Sequence, residues 1–87
     1  MVTIYSNTDA IVQNNSMRLR PIASKHTSNF GLVVVFARLD GDNSIYDYVM
    51  GKDVRWDDAS KSSCSWGWGC YGTIKSKDGF IRQLASM

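Results

Sequence analysis

Ten consecutive residues, Phe30 to Leu39, constrain this chain more than any others. Phe30, Leu32, Val34 and Phe36 fall on one side of an extended segment, and Val33, Val35, Ala37 and Leu39 on the other, because strand side chains alternate between faces with period 2. Both sides are apolar, so the segment reads as a central strand covered from above and below. Asp40-Gly41-Asp42-Asn43 follows as a turn, and Ile45 to Met50 as the antiparallel partner.

The flanks are shorter and more polar. Val2 to Tyr5 reads as a brief strand and Ser6-Asn7-Thr8-Asp9 as a turn or helix cap. Ala10 to Gln13 fits a strand or one helical turn. Asn14-Asn15 suits a hairpin turn, since Asn tolerates positive φ. Ser16 to Arg20 would return as a strand, Pro21 would mark an edge or an end, and Ala23 to Asn29 reads as loop. Gly51-Lys52-Asp53 breaks or bulges the strand after Met50, Val54-Arg55-Trp56 would resume it, and Asp57 to Ser63 is a polar loop. Near the end, Phe80, Ile81, Leu84 and Ala85 have the spacing of a short amphipathic helix capped by Ser76 or Asp78.

Cys64-Ser65-Trp66-Gly67-Trp68-Gly69-Cys70-Tyr71-Gly72 alternates large with small. As one strand running to Lys75, it places Cys64, Trp66, Trp68, Cys70 and Ile74 on one face. Ser65, Gly67, Gly69, Tyr71 and Thr73 take the other, where a helix would lie close over the glycines. The expected fold is therefore α+β: a single, mainly antiparallel sheet of four to five strands, with one short C-terminal helix on one face.

At 87 residues the chain is one domain, 1–87, with a single modest core. Hydrophobic content is 44%, too high for a disordered tail. No apolar run approaches the ~20 residues a membrane-spanning helix needs. The N-terminus shows neither a basic n-region nor an apolar h-region, so a cytoplasmic protein is expected, in the host cytoplasm if phage-encoded. All eight acidic residues are Asp and none is Glu. Asp favours caps and turns over helix interiors. Charge is segregated: residues 40–58 carry six Asp against Lys52 and Arg55, a net −4, between flanks that are each +3.

Few residues suggest catalysis or metal binding. Cys64-x5-Cys70 lacks the short spacing of structural zinc sites, and His26 is the sole histidine. On one strand the two thiols would stand about 20 Å apart, beyond disulfide reach, so free cysteines are expected. No nucleophile elbow, phosphate-binding glycine loop or paired-carboxylate motif occurs. Asp40-x-Asp42 has some calcium-loop character but no distal Glu. The expectation is a non-enzymatic protein without a cofactor.

Three Trp and four Tyr exceed what so small a core needs. Trp, Tyr and Arg dominate interface energetics. Tyr46, Tyr48 and Trp56 are the expected anchors for a protein partner, with Asp47, Asp53, Asp57 and Asp58 supplying charge. A weaker alternative is a nucleic-acid-binding module that uses Lys75 and Lys77 beside Trp66, Trp68 and Tyr71. In size, in richness in Ser, Asn and Asp, and in lacking catalytic motifs, the chain resembles small phage or mobile-element proteins that antagonise host machinery, including anti-CRISPR proteins. The resemblance spans the whole chain and assigns no site residue. It implies occlusion of a nuclease or nucleic-acid-binding surface on a host protein or protein–nucleic acid complex, with no membrane involved. The acidic segment would then imitate phosphates. The oligomeric state does not follow from these residues.

Overall fold

The structure, a computed structural model, describes residues 1–6 and 9–87. The turn or cap expected at Ser6–Asp9 includes Asn7 and Thr8, which lie outside the described residues. Among the described residues, eight strands and one helix follow in order: β1 (Thr3–Ile4), β2 (Val12–Asn14), β3 (Met17–Thr27), β4 (Gly31–Leu39), β5 (Ile45–Lys52), β6 (Arg55–Trp56), β7 (Cys64–Ser65), β8 (Trp68–Tyr71) and α1 (Lys77–Ala85). Six strands make one antiparallel sheet in the order β1-β3-β4-β5-β8, with β2 also on the outer side of β3. A separate two-stranded ribbon joins β6 and β7. The sheet is thus one strand larger than expected, and the α+β class with a single C-terminal helix holds.

β4 is the central strand its pattern predicts. Val33 to Ala37 are fully buried, and the two faces feed two separate cores. Val33, Val35, Ala37 and Leu39 meet Ala23, Tyr48 and Met50 from the neighbouring strands and Phe80 and Leu84 from α1. Val34 and Phe36 meet Val12, Leu19, Val49, Val54 and Cys64, with Trp56 and Trp66 as a partly exposed lid. One face therefore carries the helix. The other carries a strap running from Asp53 through the β6–β7 ribbon to Trp66. The strap is stitched to β2, where Gln13 N–H donates to the Ser62 carbonyl and Asn14 Nδ2 to the Cys64 carbonyl, both at 2.9 Å.

β3 runs on past Pro21, which fits an edge rather than an end, and through the segment expected as loop. The reason is local. Pro21 sits at a register shift between Pro21 and Ala23, on the stretch of β3 that β2 and β1 leave open between Leu19 and Ala23. No ladder bond is asked of its missing N–H there. The β2–β3 turn falls on Asn15, which has φ 53°, and the β4–β5 turn on Asp40–Asn43, closed by Asn43 N–H to the Asp40 carbonyl at 2.9 Å. β5 runs through Gly51 and Lys52 and stops before Asp53, at φ 58°; Val54–Trp56 does not resume it, because Arg55 and Trp56 pair with β7 in the separate ribbon.

The largest departure concerns Cys64–Lys75, which is not one strand. The chain turns at Trp66–Gly67 between β7 and β8, so Trp66 and Trp68 part company. Trp66 is half-buried against Phe36, with ring centroids 5.7 Å apart, whereas Trp68 is 63% exposed. The glycine face receives an indole rather than the helix. A Cβ on Gly69 would fall 2.7 Å from Trp66 Nε1, so only glycine admits the ring there.

Candidate functional site

β4 and β5 bring Arg38 opposite Asp47 in register. Arg38 is the only charged residue on a strand that is otherwise apolar. Its stem follows Phe36 along the strap face, and its head emerges at the end of that core. Two parallel hydrogen bonds lock it: Nε to Asp47 Oδ1 at 2.9 Å and Nη2 to Oδ2 at 2.6 Å. Bidentate pairs of this geometry fix orientation as well as charge. The Arg38 and Asp47 side chains are 28% and 11% exposed, so the pair is largely shielded.

Aromatic rings flank the guanidinium. Its carbon lies 4.6 Å from the Tyr46 ring centroid and 5.7 Å from that of Tyr71. Nη1 points at Met17 Sδ, 3.9 Å away. Tyr46 reaches this position through a bulge, since the register shifts between Arg38 and Leu39 as Arg38 pairs with Asp47 and Leu39 with Ile45. The bulge separates Tyr46 from Tyr48, which strand alternation alone would put on one face. A shallow groove of about 250 Å³ opens beside the cluster, lined by Met17, Arg18, Arg38, Asp40 and Tyr46. Arg18 Nη1 donates to the Asp40 carbonyl at 3.1 Å.

Of the three expected anchors, Tyr46 alone is well exposed, at 58%. Tyr48 is buried under α1 in the helix-side core, and Trp56 is half-buried with its ring edge-on to Phe36 at 6.4 Å. Neither presents a free aromatic face of the kind expected of an anchor.

The acidic residues do not assemble into one face. Asp47 is spent on Arg38. Asp40 and Asp42 hold the β4–β5 turn, where Asp42 Oδ1 accepts from Ser44 Oγ at 2.7 Å, a bond that lowers its pKa. Asp53 Oδ2 lies 3.5 Å from Arg55 Nη2. Asp57 Oδ2 accepts from Ser63 Oγ and Asp58 Oδ2 from Ser62 Oγ, each at 2.7 Å. The Ser62 bonds pull the Asp58 carboxyl below the usual range. These carboxylates tie down their own turns, which is what Asp does where backbone donors need partners.

Arg38 and Met17 complete the cluster and were not among the expected site residues, and Tyr71 was expected only in the nucleic-acid-binding alternative. The signal for Arg38 is a charge on a strand buried on both faces, which demands a buried counter-ion. Counting across the Asp40–Asn43 turn alone would pair Arg38 with Ile45, and it is the bulge that brings Asp47 opposite Arg38.

Other groups with chemistry are scattered. His26 is exposed opposite Leu32. Cys64 is buried and Cys70 exposed, and both are free. Burial, with Asp57 nearby, pushes the Cys64 thiol up to about 11. Among the described residues no three His, Cys, Asp or Glu side chains converge. No helix is long and apolar enough to cross a membrane. Lys75 and Lys77 are exposed, in the turn before α1 and in its first residue. Comparison of the chain with known protein families, with curated proteins and with solved structures finds no match.

Proposed function

We propose that this protein is a non-enzymatic binding domain that docks on a partner protein through the Tyr46–Arg38–Tyr71 surface and the groove beside Met17. The observation that carries the reading is the double hydrogen bond that holds Arg38 to Asp47 beneath Tyr46. It fixes an exposed aromatic ring before any partner arrives, so little side-chain freedom remains to be lost on association. Tyr and Arg are the residue types that concentrate binding energy. Because Asp47 already neutralises the guanidinium, the surface is amphipathic rather than cationic. That suits a protein surface better than a phosphate backbone, whose contacts rely on uncompensated Lys and Arg. The open, shallow groove fits a protruding side chain better than an enclosed small ligand.

Occlusion of a host protein's working surface, as small anti-defence proteins of phage achieve it, is the mode of action this reading favours. Imitation of phosphates by the acidic segment is not part of it, because those carboxylates are dispersed over separate turns. Affinity capture from host lysate, with and without nuclease treatment, is the test. Retention of a protein that survives nuclease and is lost with Tyr46→Ala supports the reading. Retention of nucleic acid alone, abolished by Lys75→Ala/Lys77→Ala and indifferent to Tyr46→Ala, overturns it.

A further inference from the structure

The two borders of the main sheet are treated differently. On one side, β3 is covered by two short strands, β1 and β2, and the strap is hydrogen-bonded onto β2. On the other side, β8 ends the sheet, and Trp68, Gly69, Cys70 and Tyr71 are all exposed. Natural edge strands are usually blunted by Lys, Pro, a bulge or a covering segment. β8 has neither Lys nor Pro, and its pairing to β5 is regular from Val49↔Tyr71 to Lys52↔Trp68.

The ladder shows which backbone groups face outward. Gly72 N–H donates to the Tyr48 carbonyl at 2.9 Å, so Gly72 and Tyr48 form a hydrogen-bonded pair continuous with the β5–β8 register. By alternation, Cys70 and Trp68 also turn their amides and carbonyls toward β5, while those of Gly69 and Tyr71 point to the open side. No turn or loop hydrogen bond among the described residues reaches these outward groups.

We propose that the open edge of β8 pairs antiparallel with β8 of a second copy of this chain, about a two-fold axis at Cys70. The axis must stand perpendicular to the sheet, so each residue pairs with one on its own face, and only registers centred on a residue are allowed. Centring on Cys70 makes Gly69 and Tyr71 reciprocal hydrogen-bonded partners across the axis, which satisfies every outward group of β8. It also sets each large side chain against a glycine: Tyr71 opposite Gly69 of the second copy, and Trp68 opposite Gly72 of the second copy. Trp66 already lies over Gly69, and Ser76 and Phe80 over Gly72, so the incoming rings would pack against those side chains rather than on bare backbone. Centring on Gly69 would instead require Gly67, which lies in the bend before β8, to continue the ladder. Centring on Tyr71 would require Thr73, whose N–H and carbonyl are already bonded to Ser76, so the register centred on Cys70 is the one in which the open groups of β8 satisfy one another. Tyr71 belongs both to this pairing and to the surface around Arg38, whereas Tyr46 and Arg38 lie outside the pairing.

The register makes Cys70 its own reporter. Cys70 would face Cys70 of the second copy as a non-hydrogen-bonded pair, with Cα atoms about 4.5 Å apart, within the range of about 4.4–6.8 Å that a disulfide spans. Sedimentation of the purified protein across a concentration series, with mild oxidation followed by peptide mapping, tests the proposal without any lysate partner. The expected results are a reversible dimer, a Cys70–Cys70 bridge on oxidation, and a dimer that Cys70→Ser keeps. Cys70→Lys, which sets like charges directly opposite one another, should weaken dimerisation at least tenfold, with recovery in salt and an unchanged circular dichroism spectrum. A monomer at every concentration overturns the proposal. So does a dimer indifferent to Cys70→Lys, or one that oxidation does not bridge at Cys70.

Discussion

Trp66 occupies the space that a side chain on Gly51 would need. A Cβ built there would lie 2.9 Å from Cε3 of the indole and 3.1 Å from Val54 Cγ2. Gly51 pairs with Gly69 across β5 and β8, so the ring rests on a cross-strand glycine pair and reaches Phe36 at 5.7 Å. The strap is held down at its β8 end by this seat.

The seat predicts an overpacking penalty. Gly51→Ala should lower stability by about 1–3 kcal/mol, although alanine is ordinarily the better strand residue. A urea titration reads this as a lower midpoint with an unchanged slope. If the variant matches or exceeds the wild type, the indole is free to move off the sheet.

Val34 gives the sharpest test of the central strand. It is fully buried in the strap-side core, among Leu19, Phe36, Val49 and other apolar side chains that cannot neutralise a carboxylate. Val34→Asp should cost more than about 4 kcal/mol, out of a total of about 5–15 kcal/mol for a small domain. Loss of a cooperative thermal transition is expected. A melt like that of the wild type would mean that the strap does not cover β4.

The two thiols should differ in reactivity. Cys70 is exposed, whereas Cys64 is buried and its thiol is raised from 9.0 to about 11. The thiolate is the reactive form, so under native conditions one alkylation per chain is expected, at Cys70, with the second appearing only on unfolding. The sign of the pH effect follows. The folded state holds the Cys64 proton more tightly than the unfolded state does, so its contribution to stability is whole below pH 9.0. That contribution declines as pH rises toward about 11. Comparing wild type with Cys64→Ala over that range isolates the effect: the alanine variant should lose the part of the alkaline decline that Cys64 causes. Equal labelling of both thiols in the native state would contradict this burial.

Elements that depend on their own residues were legible in the sequence. β4 announces itself through two apolar faces, the Asp40–Asn43 turn through its residue types, and α1 through Phe80 and Leu84. Features set by a distant partner were not. Pro21 marks an edge or an end because proline forfeits a ladder bond, and only the gap between β1 and β2 decides for the edge. Trp66 and Trp68 shared a face by period 2, until the pull of Phe36 and the glycine pair turned Trp66 back across the sheet. Tyr46 was recognisable as an exposed aromatic. Its separation from Tyr48 depends on a bulge in the β4–β5 register, and no local pattern around residues 45–48 signals it.

Arg38 and Asp47 lead to the last prediction, which separates what the pair does for stability from what it does for binding. Removing one partner strands the other in a largely shielded site. For a deeply buried pair this costs about 3–5 kcal/mol; with Arg38 partly solvated, Asp47→Ala should cost about 1–2 kcal/mol after allowance for solvent screening. Replacing both, as Arg38→Met/Asp47→Leu, should recover most of that loss, because no uncompensated charge remains. Tyr46→Ala alone should shift stability by no more than about 0.5 kcal/mol, since the ring is mainly exposed. Partner binding should rank the variants differently. Tyr46→Ala and the double replacement should both bind weakly, the first through loss of the ring and the second through loss of the guanidinium that orients it. A double replacement that is stable and still binds at wild-type strength would show that the ion pair serves the fold alone and that Tyr46 needs no clamp.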